Sequence, residues 1–161
     1  MQFVSEKIID AVIDELENLS DEQYEHRMAR FAHAQPVIIA YLFNEENFHL
    51  LTEEETGYLQ YLTLIAWAAI TKVNGPSEPV SEEMIGQAEE KNYEILEASP
   101  AKRFRDRLDA FFENTSQEDL IAFAEEAVLE DEDEPEALVT KEGREPIFIA
   151  VKTVIDVLTA A

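Results

Sequence analysis

TEEETGYLQYLTLIAWAAITKV, residues 52–73, is the stretch on which the fold turns. Thr52 followed three positions later by Glu55 is a capping box: hydroxyl and carboxylate can each satisfy a backbone amide that the first helical turn leaves without a partner. Beyond it, residues 58–70 carry only Gln60 and Thr63 as clearly polar side chains. The pattern predicts a helix over residues 53–73, buried on nearly every side. Its most apolar part, residues 57–71, is shorter than the ~20 residues a membrane-spanning helix needs. The expectation is therefore a core helix and no membrane span.

Working upstream, Pro36 suits the first turn of a helix, where its missing N–H has no partner to lose. Residues 37–43 after it have no polar side chain except the Tyr41 hydroxyl. Together the two segments predict a central apolar helical hairpin. Two amphipathic helices come before it. One spans residues 5–19, with Ile8, Ile9, Val12, Ile13, Leu16 and Leu19 at helical spacing; the other opens on the capping box Ser20/Gln23.

Downstream, Asn74-Gly75-Pro76-Ser77-Glu78-Pro79 is the only strong internal break. A helix is expected after Ser81, burying Met84, Ile85, Ala88, Ile95 and Leu96. Another is expected to open on Ser99-Pro100, and a third on a capping box of Thr115 and Glu118. Pro146 then opens a last helix, with Ile147, Phe148, Val151, Val154, Ile155 and Leu158 inward. No segment shows the sustained alternation of a strand. The fold class expected is all-α: a compact bundle of seven or eight helices in one domain, residues 1–161.

A weak internal similarity suggests two pseudo-repeated four-helix halves, 1–73 and 80–161, on either side of the 74–79 loop. Val4-Ser5-Glu6 returns as Val80-Ser81-Glu82, and Tyr24, Met28, Phe31 and Ala32 correspond to Phe104, Leu108, Phe111 and Phe112. A conflicting register pairs Gln35-Pro36-Val37 with Glu145-Pro146-Ile147, so the two cannot both hold.

The chain has 36 Asp and Glu against 12 Lys and Arg, a formal net charge of −24. A field of that sign repels nucleic acid and anionic membranes. The absence of cysteine removes disulfides, thiol catalysis and zinc–thiolate sites. The first residues lack the apolar core of a secretory signal, so a cytoplasmic location is expected.

Three constellations stand out. His26, Arg30 and His33 lie within about 60° of one another on the second helix, with Arg27 beside them. Lys102, Arg103, Arg105 and Arg107 form a second basic group, and the two groups hold six of the twelve Lys and Arg residues. Both are candidates for contact with an anion or a partner, against the plainer explanation that they pair with surrounding carboxylates, as most cations must in so acidic a chain. Glu46-Asn47-Phe48-His49 has the Glu-x-x-His spacing of a di-iron helical bundle, which makes Glu46 and His49 weak candidates for metal ligands. The third is the acidic run at 130–136, a solvated loop or a contact for a basic partner.

There is no nucleophile elbow, P-loop or His-Glu-x-x-His. No catalytic residue and no cofactor is expected. The leading reading is a non-enzymatic, cytoplasmic protein–protein interaction or regulatory module whose partner is another protein, a basic one being one option. The alternatives are an acidic nucleic-acid mimic or immunity-type inhibitor, and a helical-bundle metal-binding protein.

Overall fold

The structure is a computed structural model that describes residues 1–130, 134 and 136–160. Among these residues the secondary structure is wholly helical. The elements are α1 (Glu6–Glu17), α2 (Asp21–Ala34), α3 (Pro36–Leu42), α4 (Glu53–Asn74), α5 (Glu82–Ala98), α6 (Phe104–Arg107), α7 (Glu118–Leu129) and α8 (Arg144–Thr159). A 3-10 helix, Leu108–Phe112, continues α6. No helix of the described residues is long and apolar enough to cross a membrane.

Local chemistry starts most helices where the sequence says it should. Ser20 Oγ accepts from Gln23 N at 3.2 Å while Gln23 Oε1 accepts from Ser20 N at 2.9 Å. The Thr52/Glu55 box closes in the same way, at 3.1 and 3.0 Å. Ser81 Oγ caps α5 through Met84 N. Gly75 ends α4 at φ +79°, a left-handed conformation that side chains with a Cβ avoid.

Two expected helix starts are corrected. Ser99-Pro100 does not cap a helix: α5 ends at Ala98, Ser99 is extended as residues before proline tend to be, and helix resumes only at Phe104. The Thr115/Glu118 box does not form either. Thr115 Oγ1 accepts from Gln117 N at 3.0 Å, and Gln117 stands at the N-cap of α7 with its side chain engaged elsewhere.

The core is organised differently from the expected hairpin. α8 is its most enclosed element, with eleven of its sixteen residues buried, and it packs against α4, α5 and α7. α4 also packs against α1 and α2. The short α3 lies on α2, burying Ile38 and Leu42 but leaving Phe43, just past its end, 54% exposed. No element of the described residues covers the other side of α3, where Pro36 and Ala40 are exposed. Met84, expected inward, is also exposed.

Phe148 shows what α8 contributes. It is fully buried and meets Phe111 edge-on at 5.0 Å and Phe104 at 6.5 Å. Burial of that ring alone is worth about 2–3 kcal/mol. On the other side of the core Phe31 of α2 stacks on Trp67 of α4 at 5.1 Å.

The helices do not display the internal repeat. α2 is a continuous helix of 14 residues, whereas its counterpart is one α-helical turn followed by a 3-10 helix. In the rival register, Gln35 precedes α3 and Glu145 lies inside the first turn of α8, so those positions are not equivalent.

Candidate binding groove

The residues singled out in the sequence do not converge. Arg27 pairs with Glu15 of α1 and holds that carboxyl below the usual range. His26, Arg30 and His33 are exposed on α2, which packs against α3 and α4. The second basic group belongs to α6 and the residues just before it, and its 3-10 continuation packs against α5 and α7. Lys102, Arg103 and Arg105 are exposed there.

Arg107 secures the end of a neighbouring helix, where its Nε and Nη2 donate to the Leu96 carbonyl at 3.2 and 2.9 Å. That carbonyl lies in the last turn of α5, where helical acceptors lack partners and a cation meets the negative end of the dipole. Arg107→Ala is expected to cost about 1 kcal/mol, whereas Arg30→Ala should change stability by less than about 0.5 kcal/mol. Urea unfolding midpoints of the two variants check the contrast.

Glu46 and His49 are exposed and lie beyond α3, in turns, so no helix face aligns them. His49 Nδ1 lies 3.3 Å from the Glu46 carbonyl. Among the described residues no group of three His, Asp or Glu side chains converges to hold a metal ion. Of the acidic run, residues 131–133 and 135 lie outside those described. Glu130 is described, and with burial it helps push the Tyr58 hydroxyl up to about 12.

A different place in the fold gathers chemistry. A groove of about 1050 Å³ opens between α5, the 3-10 helix, the turn at 113–117 and the last turns of α8. Ala88, Ile95, Phe111, Ile121 and Ile155 are among its apolar lining, while its charged lining is four carboxylates, Asp106, Asp109, Glu113 and Asp156, and two cations, Lys91 and Lys152. Near this edge, burial first and then the Asp109 charge raise the Glu125 pKa, with Arg105 opposing.

Inside the groove lies a buried polar network. Lys152, only 8% exposed, donates from Nζ to Asp156 Oδ1 at 2.6 Å and to Asn92 Oδ1 at 3.4 Å. The ammonium also stands 5.8 Å from the centre of the Phe111 ring, within cation–π range. Asn92 Nδ2 donates to Asp156 Oδ2 at 2.9 Å and to Thr153 Oγ1 at 3.2 Å. Lysine, asparagine and aspartate thus close a ring across α5 and α8.

The network continues away from the groove. Thr153 stands beside the Tyr41 hydroxyl, which donates to Glu89 Oε2. Burial, then the Glu89 interaction, drives the Tyr41 pKa upward, so the phenol stays protonated. Tyr41 and Glu89 line a second cavity of about 320 Å³ between α3 and α5. Polar side chains from three helices therefore run from one cavity to the other.

Sequence reading missed Lys152 because the residues around it are apolar. The signal was present: Lys152 and Asp156 are one turn apart in a stretch, residues 146–158, whose only other polar side chain is Thr153. A helix enclosed all round must bury and pair such charges.

No known protein family, curated protein or solved structure matches this chain.

Proposed function

We propose that the protein is a non-enzymatic interaction module of the cytoplasm whose groove receives a basic, amphipathic helical segment of another protein. The observation that carries this reading is the combination of an apolar lining with four carboxylates in a groove of about 1050 Å³. A helix laid in such a groove buries its apolar face and sets Lys or Arg against the acids, the usual helix-in-groove mode. The net charge of −24 adds long-range attraction for a cationic partner and speeds encounter. Asp156 is suited to meet one cation of the ligand, because its side chain is one-third exposed while Lys152 and Asn92 hold it in place.

The test uses two synthetic helical peptides, one of alternating Lys and Leu faces and one with Glu in place of Lys. Titrated into isotopically labelled protein, the Lys peptide should shift the resonances of Ala88, Ile95, Ile121 and Ile155, and the Glu peptide should not. Its affinity should fall about ten-fold or more between low and high salt. Reversing Asp106, Asp109 and Glu113 to lysine should abolish the difference between the peptides. Shifts scattered over the acidic surface, or indifference to the charge reversal, would defeat the reading.

A further inference from the structure

Two buried glutamines make the same pair of bonds to two different segments of the chain. Gln35, fully buried, accepts from Val80 N at Oε1 (3.0 Å) and donates from Nε2 to the Glu78 carbonyl (2.9 Å). Gln117, 3% exposed, accepts from Val4 N at Oε1 (2.9 Å) and donates from Nε2 to the Gln2 carbonyl (3.0 Å). Each amide grips the N–H of a buried valine and the carbonyl two residues before it, as a neighbouring strand would.

The settings match as well as the bonds. Gln35 is the N-cap of α3 at φ −135°, ψ 67°; Gln117 is the N-cap of α7 at φ −129°, ψ 51°. The gripped segments lead into α1 and α5, which are capped alike by Ser5 and Ser81. The direction of grip is crossed. Gln35 precedes Gly75 and holds Glu78 and Val80 beyond it; Gln117 follows Gly75 and holds Gln2 and Val4 ahead of α1.

We infer that the chain is a covalently joined pair of like subunits, 1–75 and 76–160, each of which is the other's binding partner through these reciprocal clamps. Helix-by-helix comparison hides the relation because α2 and the α6 segment have diverged, whereas the clamps keep their geometry. A buried amide that satisfies two backbone groups at once is hard to replace, since losing it leaves the N–H of a buried valine, Val4 or Val80, without its acceptor.

The pairing also exposes a difference. Leu16 and Asn92 occupy the same position counted from the two serine caps, and both are buried. The first half carries an apolar side chain where the second carries the amide that holds Lys152 and Asp156. The ring of Lys152, Asn92 and Asp156 in the groove thus belongs to the second half alone.

The experiment uses the full chain with a specific protease site inserted between Gly75 and Pro76, ahead of the residues that Gln35 holds. After cleavage, the two pieces should stay together as a 1:1 complex of intact mass in native mass spectrometry. Separated in denaturant and mixed again on dilution, they should recover that complex and its helical circular dichroism. Gln35→Leu and Gln117→Leu, each made in the cleavable chain, should weaken the complex to a similar degree, by about ten-fold or more. Pieces that part on cleavage, or fail to reassemble, overturn the inference without any variant being needed. A large effect from one glutamine and none from the other overturns it too. Neither result bears on the groove, which the peptide titration tests by itself.

Discussion

Replacing Gly143 by alanine is expected to cost about 2–4 kcal/mol of stability, although alanine tolerates the backbone conformation there. Gly143 has φ −84°, so the penalty is one of space and not of dihedral strain. A Cβ at this position would stand 1.8 Å from Glu55 Oε2 and 2.7 Å from its Cδ. A carboxylate at the end of a side chain can often swing aside, but this one cannot do so without loss. Glu55 is fully buried; its Oε1 accepts from Thr52 N, and its Oε2 accepts from Thr140 N at 3.0 Å and Thr140 Oγ1 at 3.1 Å. Displacing it breaks charge-assisted bonds and leaves the part-buried donors of Thr52 and Thr140 without their acceptor.

That cost has a distinctive signature in a double-mutant cycle. Glu55→Ala alone should destabilise by a similar amount, because the same donors are orphaned. Gly143→Ala added to Glu55→Ala should then cost less than about 1 kcal/mol, since nothing remains to be displaced. Urea denaturation followed by circular dichroism measures all four corners. Simple additivity of the two changes would mean that the close approach of Gly143 to Glu55 does not govern stability.

The second large effect concerns the buried ion pair of α8. Asp156→Leu is expected to destabilise by about 2–3 kcal/mol, because it strands the Lys152 ammonium with only Asn92 Oδ1 and the Phe111 ring. The figure sits below that for a fully enclosed pair because Asp156 is one-third exposed and screened accordingly. Lys152→Met combined with Asp156→Leu should return stability to within about 1 kcal/mol of the original, since two apolar side chains replace two desolvated charges. Thermal unfolding of the single and double variants separates the cases. A double variant as unstable as Asp156→Leu would place the stabilisation in the hydrogen bonds of Asn92 instead of the charge pair. In the peptide titration the double variant should bind the Lys peptide more weakly, because Asp156 no longer meets a cation.

Much of the helical framework was legible in the sequence, and the successes share a cause. Ser20 with Gln23, Thr52 with Glu55 and Ser81 with Met84 are interactions closed within three residues, so spacing alone reveals them. The failures share one too. Thr115 and Glu118 have the same spacing, but Gln117 between them reaches residues 2 and 4, and that distant contact sets the start of α7. The basic side chains read as stripes because charge and periodicity are visible; that Arg27 meets Glu15 and Arg107 caps α5 depends on which helices lie side by side. Of the groove, the sequence offered one overlooked clue, the Lys152–Asp156 spacing in an apolar helix.

By itself, then, the sequence determined that the described residues are all-helical, that helices begin after Ser20, Thr52 and Ser81 and that the chain breaks at Gly75, because backbone bonding in a helix spans only four residues. The tertiary structure alone decided that α8 and not α3 is enclosed, that α5 and α8 frame a groove, and that Gln35 and Gln117 grip distant segments. Burial is a property of neighbours: residues 37–43 and 147–158 are both strongly apolar in sequence, yet only the second is surrounded, by α4, α5 and α7.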